Sequence, residues 1–359
     1  MSAPSKIFFV SNGALYISDA SGKTTEKIAV ADRDFTIELY GTSPSGKWLF
    51  LDIVPKDYFI INRQYLYALN LENLDLVKIT EDFCFENAID ISFGLGEDKI
   101  ILGTRSVNAP YSPVEVFNLN TKKFSCLLGC TKSKYEKAYE FHISPDGKYI
   151  AYAGGNVEVF PDNRTALYIK NIETGKLKML VKPSNFNQND KTDFIFDVHF
   201  VSSGKKIVYS REIDSGKGKS VVKYFVTDLE GNSREITEEE ALKLVPYDHY
   251  LLEGKLKKLL NKSLHIDAVL KKCGKIVFTA YDEKKGGEKL YICDTDFSHI
   301  LETGISNPNF MEFSDSCKFT CQVLEEKDWY LIDAKTGAKT SLGELLGRKI
   351  DDAIFVSSE

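Results

Sequence analysis

Short stretches in which apolar and polar residues alternate run through the whole chain, and a polar turn follows each of them. The clearest copy reads HISPDGKYIAYAG, residues 142–154, and weaker copies stand near residues 42 and 199. A period of two with many β-branched and aromatic residues predicts half-buried strands. Proline favours the first central position of a turn and glycine accepts a left-handed backbone. The motif therefore predicts a hairpin that recurs.

A second recurring feature is an aromatic-rich apolar strand that ends in Asp or Asn, as in LYIKNIETGK. The side chain of Asp or Asn can accept hydrogen bonds from backbone N–H groups of the turn that follows. The feature returns at intervals of 39 to 66 residues, which indicates a repeat protein. The seven closing residues are Asp19, Asn70, Asn118, Asn171, Asp228, Asp294 and Asp333.

Together the two features predict an all-β chain, a seven-bladed β-propeller of four-stranded antiparallel blades. The first unit lacks its innermost strand, and residues 351–358 have the missing pattern, so we expect this C-terminal strand to close the ring. The predicted single domain, 1–359, divides into blade 1 (6–29 with 351–358), blade 2 (36–80), blade 3 (86–129), blade 4 (138–181), blade 5 (194–236), blade 6 (264–303) and blade 7 (308–343).

The repeat is interrupted between blades 5 and 6, where residues 237–262 predict a helical insertion. Thr237 and Glu240 have the spacing of a capping box. One helical face collects four leucines, which are Leu252, Leu256, Leu259 and Leu260. This face either packs on the rim of the propeller or docks a partner.

The unit SPDGKYIAYAG…LYIKNIETGKLKML resembles the TolB-like propeller repeat, which also occurs in the propeller of prolyl-oligopeptidase-type enzymes. Its best copy is residues 138–181, and blades 3 and 7 match poorly. The resemblance implies a propeller, often a platform for protein interaction. The sequence has no counterpart of TolB's N-terminal α/β domain or of the peptidases' hydrolase domain.

Acidic residues recur near the start of the innermost strands, which line the axial channel of a propeller. We predict a ligand-binding or partner-binding funnel, because a ring of acids concentrates negative potential that attracts a metal ion, a cationic ligand or a basic peptide. The alternative is that these carboxylates cap turns and accept backbone N–H bonds. The acids are Glu38, Asp90, Glu140, Asp197, Asp267 and Asp352, and Asn309 stands nearby in blade 7.

His142 and His199 occupy equivalent places in adjacent units, and we include both in the predicted funnel. Together with Glu140 or Asp197 they are weak candidates for a divalent metal site. The TolB-like superfamily includes oligogalacturonate lyases, whose axial metal site needs more histidines than this pattern supplies. The alternative is a pair of ordinary hydrogen-bonded histidines. The sequence holds no GxSxG, HExxH or phosphate-loop motif.

The bulk composition limits partners and compartment. A formal net charge of -6 argues against sequence-independent binding of nucleic acid, and no apolar run reaches the roughly 18 residues that span a bilayer. The 7 cysteines are scattered and odd in number, which predicts reduced thiols. The start, MSAPSKIFFV, is not a signal peptide as written. We therefore expect a monomeric cytoplasmic protein, or alternatively an exported one whose signal peptide was removed.

The functional hypothesis is a non-catalytic scaffold that binds a protein, peptide or ligand through the propeller face and the acidic funnel. It requires no catalytic residue and no cofactor, although a divalent metal remains an option. The alternative is a metal-dependent polysaccharide lyase or hydrolase, similar to oligogalacturonate lyase, with an axial active site. The enzyme requires histidines and acids that converge, whereas the scaffold does not.

Overall fold

A computed structural model describes most of the chain. The described residues are 5–43, 45–56, 65–79, 89–92, 95–104, 114–129, 138–154, 165–183, 193–214, 220–245, 249–260, 264–282, 287–313, 317–323 and 326–356. They form 28 strands and three short helices, and the strands pair in seven four-stranded antiparallel sheets. The all-β class and the four-stranded sheets, which are typical of a β-propeller, are therefore confirmed. The count of blades and the closure of a ring remain predictions.

The chain divides into two compact units, and the first comprises residues 1–84 and 253–359. It contains four sheets. Sheet 1 is β1 (Lys6–Ser11), β2 (Ala14–Asp19) and β3 (Thr25–Val30) with β28 (Asp352–Val356); sheet 2 is β4 (Phe35–Thr42), β5 (Trp48–Pro55), β6 (Tyr65–Asn70) and β7 (Leu76–Lys78). Sheet 6 is β20 (Leu264–Lys272), β21 (Lys275–Asp282), β22 (Glu288–Asp294) and β23 (Leu301–Ser306); sheet 7 is β24 (Pro308–Phe313), β25 (Lys318–Val323), β26 (Asp328–Asp333) and β27 (Lys339–Ser341).

The second unit comprises residues 85–252 and contains three sheets. Sheet 3 is β8 (Ile89–Ser92), β9 (Lys99–Thr104), β10 (Val114–Asn118) and β11 (Lys123–Leu128). Sheet 4 is β12 (Ala138–Ile143), β13 (Tyr149–Gly154), β14 (Ala166–Asn171) and β15 (Leu177–Val181). Sheet 5 is β16 (Asp193–Phe200), β17 (Lys206–Asp214), β18 (Ser220–Asp228) and β19 (Ser233–Ile236).

The strand near the C-terminus completes sheet 1 within the first unit. β28 pairs antiparallel with β1, and Phe8 lies opposite Ile354. Sheets 1 and 2 then share one apolar cluster, in which Phe8, Leu49 and Ile354 are buried. This packing fixes the start of β28 beside β4, where the candidate site lies.

The turn chemistry predicted for the strand ends is present in the structure. The Asp19 carboxylate accepts hydrogen bonds from the backbone N–H groups of Ser21 and Thr24, both at 2.8 Å. Asn171 accepts from the N–H of Thr174 at 2.8 Å in the equivalent turn of sheet 4. These side chains replace the partners that turn N–H groups would otherwise find in water, which explains the residue type.

Two cysteines correct the expectation of reduced thiols. Cys273 and Cys317 form a disulfide that joins the first hairpin of sheet 6 to that of sheet 7, with Cα atoms 5.6 Å apart. Cys126 is also disulfide-bonded, whereas Cys293 and Cys321 are free and buried. The scattered spacing concealed this bridge because the two turns lie 44 residues apart in sequence and meet only through the packing of neighbouring sheets.

We expect the double substitution Cys273→Ser and Cys317→Ser to lower the free energy of unfolding by about 2–4 kcal/mol, because the bridge restricts the unfolded chain. Denaturant unfolding of both proteins under oxidising conditions measures this loss, and the difference should disappear in a reducing buffer. A peptide map of the oxidised wild type that shows Cys273 and Cys317 unlinked would refute the bridge.

The insertion is helical as predicted, but it forms two helices, α1 (Glu238–Leu244) and α2 (His249–Leu260). Thr237 caps α1 by accepting a hydrogen bond from the N–H of Glu240 at 3.1 Å. The Glu240 carboxylate does not complete a capping box and instead pairs with Arg234. A short third helix, α3 (Leu342–Leu346), follows β27 and was not predicted.

The apolar face of α2 is mostly turned into the protein. Leu252 and Leu256 are buried, and Leu251 joins a cluster with Val208 on β17. Leu259 departs from the predicted face, since half of its surface is exposed. This packing supports the rim interpretation of the insertion. No helix in the described part of the chain is long and apolar enough to cross a membrane.

Candidate functional site

Two carboxylates face each other across sheet 2. Glu38 on β4 lies directly opposite Asp52 on β5 in the antiparallel register. Directly opposed residues project from the same face of a sheet with Cβ atoms about 5 Å apart, and like charges there are unfavourable. Asp52 is only 2% exposed, and its Oδ1 has no hydrogen-bond partner among the described residues.

A third carboxyl group reaches this pair from sheet 1. Asp352 begins β28, and its Oδ2 accepts a hydrogen bond from the backbone N–H of Leu39 at 2.5 Å. Its Oδ1 accepts from the N–H of Ala353 at 2.8 Å. Because Leu39 directly follows Glu38, this contact between sheets holds Asp352 close to the pair of carboxylates.

A cavity of about 660 Å³ opens beside these groups, entirely within the first unit. Glu38 and Asp352 both line it, and Asp351 contributes a further carboxylate. The remaining lining residues are neutral and come from β4, β25 and β26; they are Thr36, Ile37, Leu39, Tyr40, Gln322 and Trp329. The cavity is large enough for a small ligand or for part of a polymer chain.

Burial perturbs all three carboxyl groups in the same direction. It raises the pKa of Asp352 to about 7, even though the N–H groups of Leu39 and Ala353 lower it. Burial, followed by the charge of Glu38, raises the pKa of Asp52 to about 7, and burial also raises the pKa of Glu38. Near neutral pH the group therefore contains both protonated and ionised carboxyls, which is what general acid–base catalysis requires.

The predicted residues of sheets 4 and 5 form a second, separate group in the second unit. Glu140 on β12 accepts hydrogen bonds from the backbone N–H groups of Asp197 at 2.8 Å and Val198 at 3.2 Å. Asp197 lies where the register of β16 shifts, and its φ of 51° is left-handed. Glu140 thus ties one sheet to an irregular strand of the next, which supports the structural alternative for this acid.

The structure brings His142 and His199 together. Their rings meet edge to face, with centroids 5.2 Å apart, and the N–H of Phe200 donates to Nδ1 of His142 at 3.5 Å. Burial, and then the neighbouring His199, lowers the pKa of His142 to about 4, so this ring is neutral at neutral pH. In the part of the chain that the structure describes, no three His, Cys, Asp or Glu side chains form a group that could hold a metal ion.

The remaining predicted residues stay untested. Asp90 pairs with Gly103 in sheet 3, and Asp267 lies where the register of β20 shifts, but the side chains of both lie outside the described residues. The acidic funnel as a whole therefore remains a prediction.

Sequence reasoning missed Asp52, although an acid inside the apolar strand WLFLDIVP is a usable signal, because buried carboxyls are rare without a specific reason.

Comparison with known proteins finds similarity to solved structures only. No protein-family model matches it, and no curated protein is similar to it in sequence. An oligogalacturonate lyase in complex with manganese matches with a TM-score of 0.50 and 10% identity over 95% of this chain and 84% of that chain. The β-propeller domain of the Trilobed protease from Pyrococcus furiosus matches with a TM-score of 0.49 and 15% identity over 95% of both chains.

The tricorn protease matches with a TM-score of 0.49 and 12% identity over 98% of this chain. Our chain spans only 34% of the length of that protease. At 10% identity the likeness to the lyase concerns the fold alone, and it gives no specific support for a TolB-like protein.

The comparisons correct the main functional hypothesis. We expected a non-catalytic scaffold, but the lyase that this chain resembles along most of its length is an enzyme. The scaffold hypothesis is therefore wrong as the leading interpretation, and the enzyme alternative agrees better with the findings.

Proposed function

We propose that this protein is an oligosaccharide hydrolase whose reaction centre is the cavity that Glu38 and Asp352 line. One observation carries the proposal: two carboxyl groups from different sheets meet at a single cavity of about 660 Å³. Hydrolysis of a glycosidic bond uses a pair of carboxyl groups that flank the bond. The similarity in fold to an oligogalacturonate lyase supports an enzyme of this general kind.

The environments of the two groups suggest separate roles. Asp352 has a pKa of about 7 because it is buried, so at neutral pH a large fraction holds the proton that a leaving-group oxygen requires. Glu38 serves as the base that activates water or as the nucleophile. Two carboxylates near each other cannot both ionise easily, which helps to keep the acid protonated.

Hydrolysis fits the cavity better than lysis of a uronate polymer. Lysis starts from a substrate whose own carboxylates must approach the reaction centre. Here Glu38, Asp351 and Asp352 line the cavity and would repel such groups. Hydrolysis by a pair of carboxyl groups that activates water does not require a substrate carboxylate near these acids.

The test is release of reducing ends from a panel of neutral, amine-bearing and uronate oligosaccharides, with Asp352→Asn as the first variant. Asparagine keeps one acceptor oxygen for the N–H of Leu39 or of Ala353 but cannot supply the acidic proton. We expect the variant to fold, as circular dichroism would show, and to lose hydrolysis of ordinary glycosides. Hydrolysis by the wild type that Asp352→Asn leaves unchanged would disprove this assignment.

The proposal extends to the architecture and to the compartment. We propose that the seven sheets are blades of one TolB-like propeller that the pairing of β28 with β1 closes. We also favour the exported alternative over the cytoplasm, because disulfides such as Cys273–Cys317 persist mainly in oxidising compartments. Fractionation of the native host, with an antibody against the chain, tests whether the protein is exported.

A further inference from the structure

The cavity has a strongly one-sided charge. Three of its lining residues are carboxylic acids, Glu38, Asp351 and Asp352, and none of its described lining residues is Lys, Arg or His. Asp351 has partners at its edge, since its carboxylate accepts the N–H of Asn12 at 2.7 Å and lies 3.4 Å from Nζ of Lys349. The Lys349 side chain is mostly exposed, so the interior of the cavity keeps its negative character.

Asp52, a buried carboxyl group next to the cavity, adds to the acidic surroundings of Glu38. The side chain of Asp52 is 98% buried on the face that it shares with Glu38, and its Oδ1 lacks a hydrogen-bond partner among the described residues. A folded protein rarely maintains an unsatisfied buried carboxyl directly opposite a second acid. Ionisation of both groups sets two negative charges against each other, and a cation bound beside Glu38 would offset that repulsion.

Aromatic rings lie at the same cavity. Tyr40 lines it and is 38% exposed, whereas Trp329 forms part of its wall but is only 2% exposed. Exposed aromatic surface attracts cations through the ring face and also accepts the apolar face of a sugar ring. The lining thus combines negative charge with an aromatic surface.

We propose that the cavity binds an oligosaccharide of amino sugars, whose protonated amine lies among the carboxylates Glu38, Asp351 and Asp352. The amine supplies the positive charge that the lining lacks, and the sugar ring covers the aromatic surface. The inference rests on the proposed hydrolase only where it treats the bound oligosaccharide as a substrate. The preference for a positively charged ligand concerns binding alone.

Calorimetric titration with three matched tetrasaccharides at about pH 7 tests the charge preference. The probes are the tetramers of glucosamine, of N-acetylglucosamine and of galacturonic acid. We expect the glucosamine tetramer to bind at least about tenfold more tightly than its acetylated counterpart, which is the scale of one partly desolvated charge pair. Added salt should reduce this difference.

The variant Glu38→Gln should lose most of the preference, and Glu173→Gln is the matched control because it removes the same charge from an exposed turn of the second unit. Equal binding of the acetylated tetramer, or tighter binding of the galacturonate tetramer, overturns the inference. Cleavage of neutral oligosaccharides without any amine preference would overturn the inference and leave the hydrolase standing. Amine-selective binding without cleavage of any oligosaccharide would support the inference and overturn the proposed hydrolase.

Discussion

Glu38→Gln should lower the rate of oligosaccharide hydrolysis about 10²–10⁴-fold, which is the usual contribution of a positioned general base. Glu38 is one of the two carboxyls from different sheets that line the cavity. Glutamine has nearly the same shape but can neither accept the proton of an attacking water nor act as a nucleophile. The loss should therefore appear in kcat, with the fold retained.

The pH profile separates this role from a structural one. The active form requires an ionised Glu38 and a protonated Asp352, so the rate should rise with pH as Glu38 ionises and fall as pH passes about 7, the pKa of Asp352. Glu38→Gln should remove the acidic limb of the profile. Glu173→Gln should leave both rate and profile unchanged, and a profile of Glu38→Gln identical in shape to that of wild type would reject the assignment.

Asp52→Asn should stabilise the protein at neutral pH by up to about 4 kcal/mol, the free energy that corresponds to raising the pKa of Asp52 from 3.8 to about 7. Burial and the charge of Glu38 raise the folded-state pKa of Asp52 from 3.8 to about 7. The folded protein therefore favours the protonated form. Its stability is greatest below the unfolded-state pKa. It falls as pH rises towards 7, because the unfolded chain ionises first, and levels off above about 7, where the folded group ionises as well.

Denaturant unfolding of wild type and Asp52→Asn at about pH 4 and about pH 8 measures this effect, because the two pH values bracket the raised pKa. The two proteins should be nearly equal in acid, and the variant should be more stable in base. Asp19→Asn is a control of opposite sign, since the hydroxyl groups of Ser21 and Thr24 lower the pKa of Asp19. Removal of the Asp19 carboxylate should lower the free energy of unfolding at neutral pH. The loss should be smaller in acid, where the carboxylate of the unfolded wild type begins to protonate. A difference between wild type and Asp52→Asn that does not depend on pH would show that Asp52 is not a strained buried carboxyl.

The sequence alone determined the repeat and its local chemistry. The alternation of residues predicted strands, and the strand-ending Asp and Asn side chains predicted the acceptors that the turns contain, as at Asp19 and Asn171. These features depend on neighbours within a few residues, so a short sequence pattern is enough to predict them. Thr237 as a helix cap belongs to the same class.

Only the tertiary structure decided which of these residues meet. Cys273 and Cys317 looked like unrelated thiols, and Asp52 looked like one more strand residue, because their partners lie in other strands or other sheets. The predicted acids also took different roles: Glu140 became an acceptor of backbone N–H groups, whereas Glu38 came to line a cavity with Asp352. A repeat places equivalent residues at equivalent positions, but burial and the neighbouring sheet set the charge and the chemistry of each one.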